Sequence, residues 1–124
     1  MDHRPAFRVG ARVVDRTDTD VRLVVLEPDR GQADDVEVAA RETTVAALNP
    51  EFPANDRVVG CVHVDWLERN AGDRWRAWDR DEFVDRLEAF AAEWRLQIPT
   101  YDYPESRLRR LSSERPGQST IDDW

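Results

Sequence analysis

Two side chains in this sequence combine a thiol with a base at a regular spacing: Cys61 and His63, in the run VVGCVHV at residues 58–64. Alternation along a strand puts residues i and i+2 on one face, so the pair reads either as nucleophile and base or as two metal ligands. Both readings fail on inventory. A zinc site takes three or four ligands, and an activated thiol needs a base that is itself oriented by a third group. The chain has no second cysteine, and its other histidine, His3, sits at the N-terminus. A lone cysteine in an apolar run behaves as a small hydrophobe. Cys61 is therefore predicted to be a buried, inert thiol, and His63 a structural histidine.

Other chemical constellations are equally thin. DRTDTD, residues 15–20, has the look of a calcium loop but lacks the central glycine and the distal bidentate glutamate. With 26 acidic residues in 124, neighbouring carboxylates carry no diagnostic weight for acid–base work. Phosphate-cradling loops, nucleophile elbows and dinucleotide fingerprints are missing from the sequence. The sequence thus predicts a protein that is not an enzyme, with no catalytic residue, metal or cofactor assigned. A small enzyme working through Cys61 and His63 is the least supported alternative.

Arginine is where the residue types speak. All 18 basic residues are arginine, and the formal net charge is −8. Dense carboxylates beside arginine suit a salt-adapted cytoplasm, because in molar salt the Debye length shrinks to about 3 Å and like charges are screened. Two groups stand out. Arg8 and Arg12, with Arg22 close by, are predicted to lie on an outward sheet face that could meet nucleic acid, since guanidinium planes pair with phosphate and stack on bases. Tyr101, Tyr103, Arg107 and Arg109 lie in IPTYDYPESRLRR and form an aromatic and arginine strip of the kind enriched where proteins meet. RWRAW, residues 74–78, interleaves arginine with tryptophan in the same manner. The net charge and the weakening of phosphate contacts in salt count against nucleic acid, and ion pairing with neighbouring carboxylates is the plainer role for most of the arginines.

These residues need elements to hold them. In FRVGARVVDR, Val9, Ala11 and Val13 alternate with Arg8, Gly10 and Arg12, which predicts a half-buried strand. VRLVVLEP, residues 21–28, predicts its hairpin partner across a loop of about five residues around Thr17 to Asp20. VEVAA reads as a short strand, and TTVAAL as another strand or one that bends. NPEFPAND, residues 49–56, is a loop by its prolines, with Phe52 expected to pin it to the core. Residues 58–64 read as the central strand, with Gly60 allowing a bulge or close packing. A helical turn is expected at DWLERN, ending near Gly72. Asp79 and Glu82 predict a capping box, and Phe83, Leu87, Phe90, Ala91 and Trp94 share one face of the helix that follows. Pro99 stops that helix near Leu96, and the next residues are predicted to be an edge strand or extended strap with Tyr101 and Tyr103 on one side.

The expected fold is α+β: a small curled antiparallel sheet or partial barrel of about five strands, one C-terminal amphipathic helix packed on it, and a strap after the helix. Residues 1–111 are expected to form one domain and residues 112–124 a disordered polar tail. No apolar run approaches the roughly 20 residues of a membrane span, and no secretory leader is read at the N-terminus. The segments NPEFP at 49–53 and YDYPESRL at 101–108, with the valine-rich strand between them, resemble small uncharacterised haloarchaeal proteins over most of residues 7–111. The resemblance implies a halophilic, cytoplasmic origin and a single domain, and brings no activity or site residue with it. The function expected is a non-catalytic interaction or regulatory domain that binds another protein, with nucleic-acid binding as the alternative.

Overall fold

The structure is a computed structural model that describes residues 6–38 and 41–111. His3, the last two residues of VEVAA and the predicted polar tail lie outside the described residues. The architecture is α+β. Five strands, β1 (Arg12–Asp15), β2 (Asp18–Glu27), β5 (Val58–His63), β6 (Tyr101–Pro104) and β7 (Leu108–Arg110), form one antiparallel sheet in the order β6, β5, β2, β1, β7. A separate two-stranded sheet pairs β3 (Glu37–Val38) with β4 (Thr43–Thr44). The helices are α1 (Val45–Leu48), α2 (Val64–Ala71) and α3 (Phe83–Glu93).

The large sheet must curl. β6 and β7 occupy its opposite edges, yet only the 3-10 turn Glu105–Arg107 separates them in sequence. Four peptide steps from Pro104 to Leu108 reach at most about 14 Å, whereas the edges of a flat five-stranded sheet stand about 19 Å apart. The result is a half-barrel. Its concave face collects Val13, Leu23, Val25, Val59, Cys61, Tyr103 and Leu108, together with Phe7 and Ala11. On the convex face Val24 and Val62 pack with Leu67, Trp75, Phe83, Leu87 and Phe90 from the helical layer.

Several local outcomes differ from the sequence-based expectation. The β1–β2 connection is only Arg16 and Thr17, because the Asp15 carboxylate accepts hydrogen bonds from the Thr17 N–H (2.9 Å) and hydroxyl (2.8 Å), and Asp18 already pairs with Asp15. The strand begins later than predicted: Gly10 at φ 82° and the Ala11 N–H bonded to the Arg8 carbonyl make residues 8–11 a turn, which takes Arg8 off the strand. β2, not β5, is the middle strand. Over Gly60 the Arg30 side chain crosses so closely that a Cβ there would stand 2.8 Å from its Cδ. TTVAAL neither continues nor bends as a strand, because the Thr44 hydroxyl accepts from the Ala47 N–H and caps α1. Phe52 is half-buried and lies outside the core clusters; Ala33, Val45 and Val58 fill that corner instead.

Helix α3 buries Phe83, Leu87, Phe90 and Ala91 as their spacing predicts. Its capping box does not form. The 3-10 turn Arg80–Glu82 precedes the helix, and the Asp79 carbonyl, rather than its carboxylate, takes the Glu82 N–H. Trp94 is 59% exposed because the helix stops at Glu93 and leaves Trp94 at the cap, its ring centroid 6.4 Å from that of Phe90. The stop is a Schellman motif: the Leu96 N–H bonds the Ala91 carbonyl, the Arg95 N–H bonds the Ala92 carbonyl, and Arg95 takes φ 55°.

An L-residue with a Cβ pays for that left-handed conformation, which glycine adopts freely. Arg95→Gly is expected to stabilise the domain by about 0.5–1 kcal/mol, measured as an upward shift of the chemical denaturation midpoint. An unchanged or lower midpoint would show that the Arg95 side chain contributes more than its backbone costs.

Candidate functional site

At one end of the half-barrel, β6 faces α1 and the small sheet across a groove of about 470 Å³ lined by Leu48, Asn49, Tyr101, Tyr103 and Arg107, with Arg41 and Val38 above. The groove exists because α1 is only one turn long. Thr44 starts it and Asn49 ends it, and Leu48 and Asn49 face β6 across the groove.

Arg107 fixes the floor. Its Nε and Nη2 donate to the two carboxylate oxygens of Asp15 at 2.9 and 2.8 Å, and its Nη1 donates to the Asn49 side-chain carbonyl at 2.7 Å. This is the forked geometry in which arginine binds carboxylate best. Asp15 is 2% exposed and Asn49 6%. The Asn49 amide in turn donates to the Val45 carbonyl at 2.8 Å. One guanidinium therefore ties β1, the 3-10 turn and the end of α1 together, and it lies 5.3 Å from the centroid of the Tyr103 ring. Burial alone would raise the Asp15 carboxyl, but hydrogen bonds from Arg107 and Thr17 and the guanidinium charge outweigh it and hold its pKa below the ordinary value.

The two tyrosines divide. Tyr103 pairs with Val59 and Tyr101 with Cys61, so both rings stand on the concave face as the alternation predicts. Tyr103 completes the core, and burial, with the Asp15 carboxylate near it, pushes its hydroxyl up to about 12. Tyr101 is 47% exposed and meets His63 edge-on, with ring centroids 4.5 Å apart. Burial pushes the His63 pKa down while the Asp65 and Asp15 carboxylates oppose the shift.

The arginines regroup. Arg8 lies in the turn before β1, and the half-buried Arg12 carries its guanidinium 5.3 Å from the Trp75 ring centroid. Arg22 and Arg109 both oppose Val14, one on each flanking strand, so one member of each predicted cluster lies on the convex side of the sheet with Val14 between them. Arg107 belongs to the groove. Trp75 of RWRAW is core, and Trp78 packs on Phe83 and Phe90. Most carboxylate partners differ from the sequence neighbours: Arg30 reaches Asp102, Arg57 reaches Asp29 and Arg76 reaches Glu68.

Cys61 is fully buried, and burial together with the Asp102 carboxylate pushes its thiol well up, away from the reactive thiolate. Among the described residues no three His, Cys, Asp or Glu side chains converge as metal ligands, and no helix is long and apolar enough to cross a membrane. Asp15, Asn49 and Leu48 escaped the sequence reading. Asp15 sits in a stretch that only suggested a solvated turn, and the asparagine's role depends on an arginine 58 positions away.

Asp15→Asn leaves Arg107 without its counter-charge and is expected to cost about 3 kcal/mol of folding stability at neutral pH. Because the folded carboxyl has the lowered pKa, its contribution is full above the ordinary carboxylate value and disappears as pH falls through the folded value. The stability gap between wild type and variant should therefore close on acidification, as read from denaturation curves at several pH values; a gap independent of pH would contradict the ion pair. Iodoacetamide is expected to label Cys61 only under unfolding conditions, and rapid labelling of the native protein, read by mass spectrometry, would contradict its burial.

No family model, curated protein or solved structure matches this chain.

Proposed function

We propose that this chain is a non-catalytic domain of a salt-adapted cytoplasm that binds another protein in the groove beside β6. One amphipathic helix packed on the sheet and an extended strap after it complete the fold that carries the groove. The observation that carries the proposal is the pairing of two exposed large apolar side chains, Tyr101 at 47% and Leu48 at 40%, with the groove they line. Aromatic anchors beside arginine are the residue types that dominate binding energy at protein interfaces. Tyr103 and Arg107 support the surface from within rather than forming its exposed part. Arg109 faces the other side of the sheet.

A second reading, contact with nucleic acid, draws support from the side of the sheet shared by Arg12, Arg22 and Arg109. Acidity and salt weaken it. Retention of single-stranded or duplex nucleic acid on a filter in molar potassium chloride, lost on Arg22→Ala with Arg109→Ala, would establish it; no retention removes it.

A photoreactive amino acid placed at position 48 is expected to cross-link one protein in lysate at molar potassium chloride. Tyr101→Ala should weaken that capture by about tenfold, equivalent to about 1.4 kcal/mol, while its circular dichroism stays that of the parent. Absence of any cross-linked protein, or capture indifferent to Tyr101→Ala, would overturn the protein-binding role.

A further inference from the structure

We infer that the groove receives an extended peptide that adds to the sheet as a further strand along the free edge of β6, with apolar side chains against Tyr101 and Leu48 and a carboxylate at Arg41. This rests on the protein-binding role proposed above and specifies how the partner is held.

The backbone register carries the inference. β6 ends the sheet order, and its one neighbour is β5. Val58 turns its own N–H and C=O toward Gly31 and Arg30, at 2.7 and 2.8 Å, on the side of β5 away from β6. Pro104, opposite Val58, has no N–H to offer in return. Inward and outward bonding alternates along an antiparallel pair, so Tyr103 and Tyr101 bond to β5 while Asp102, opposite Gly60, turns its N–H and C=O to the open edge. Among the described residues no strand pairs with that edge, although the small sheet and α1 stand beside it across the groove. Unpaired strand edges are templates for an added strand.

Side chains set the pattern of the guest. A strand laid against β6 directs every second side chain to the concave side, beside Tyr101 and over Leu48 and Val38, which calls for apolar residues there. Charge fixes one more feature. Two arginines and one carboxylate line the groove: Arg107 is held by Asp15, and Asp102 lies 2.7 Å from Arg30 outside the groove. Arg41 remains as the positive charge in a chain of net charge −8, and a peptide carboxylate is its complement.

A displayed library of linear peptides selected on the full chain supplies the probe, with the enriched sequence synthesised plain and in two forms N-methylated at interleaved alternate amides. Strand addition predicts that one methylated form binds about tenfold more weakly while the interleaved form binds as the plain peptide does. It also predicts that the plain peptide slows hydrogen exchange at the Asp102 amide. If both methylated forms bind equally well and Asp102 exchange is unchanged, but Tyr101→Ala still weakens binding, the groove binds protein by another mode and the strand inference is overturned alone. If no peptide is enriched, or binding is indifferent to Tyr101→Ala, both it and the groove's role fail.

Discussion

The bidentate grip of Arg107 on Asp15 is the interaction on which the remaining architecture leans. It joins the first strand of the sheet to the turn that links its two edges, and through Asn49 it reaches the one-turn helix that walls the groove. Asp15 and Asn49 are buried and Arg107 is half-buried, so removing the guanidinium leaves two buried polar groups without their partner. A hydrophobic plug could seal the same space but would not fix the angle between β6 and β7. Thr17 adds two more donors to the same carboxylate, which makes the tight β1–β2 turn part of the same network.

The sheet is loaded on both faces, and the two loads are different in kind. Side chains of the strands themselves, among them Val13, Leu23, Val25, Val59, Tyr103 and Leu108, fill the concave face, where the curl brings distant strands within reach of each other. Large rings and leucines from the helical layer fill the convex face, with Trp75 and Phe83 meeting edge-on at 6.4 Å. This division leaves the rim of the concave side as the place where an aromatic ring can remain exposed without opening the core. Tyr101 stands at that rim.

Local signals made a good part of this legible in the sequence. The β-branched run ended by proline at residues 21–28 and the four-three-one spacing of Phe83, Leu87, Phe90 and Ala91 are properties of single elements; the first lies in β2, which starts earlier than read, at Asp18, and the second forms the buried face of α3. Gly72 marked a true end, whereas α3 stops at Glu93, before the Leu96 expected from Pro99, because Arg95 closes it in the left-handed conformation. Errors arose at element ends, where turn and cap geometry overrode the pattern: Gly10 broke a strand whose alternation looked sound, Thr44 capped a helix in a β-prone run, and Trp94 fell just past the end of the face to which its spacing assigned it. The groove was half legible. Tyr101, Tyr103 and Arg107 were visible as a group because they are close in sequence, whereas Asp15, Leu48 and Asn49 come to them from far along the chain, and no spacing rule connects them.

The short turn between β6 and β7 also orders events in time. Residues 12–15 emerge from the ribosome early, but their outer neighbour, β7, is residues 108–110, and the Asp15–Arg107 bond spans 92 positions. Closing so long a loop carries an entropic cost before any contact is gained, and folds dominated by distant pairings form slowly. During synthesis the β1 edge therefore remains open, its buried carboxylate without a cation, until nearly the whole domain has been made. The final dozen described residues act as a clasp: they add both outer strands, β6 and β7, to three strands that precede them in the sequence.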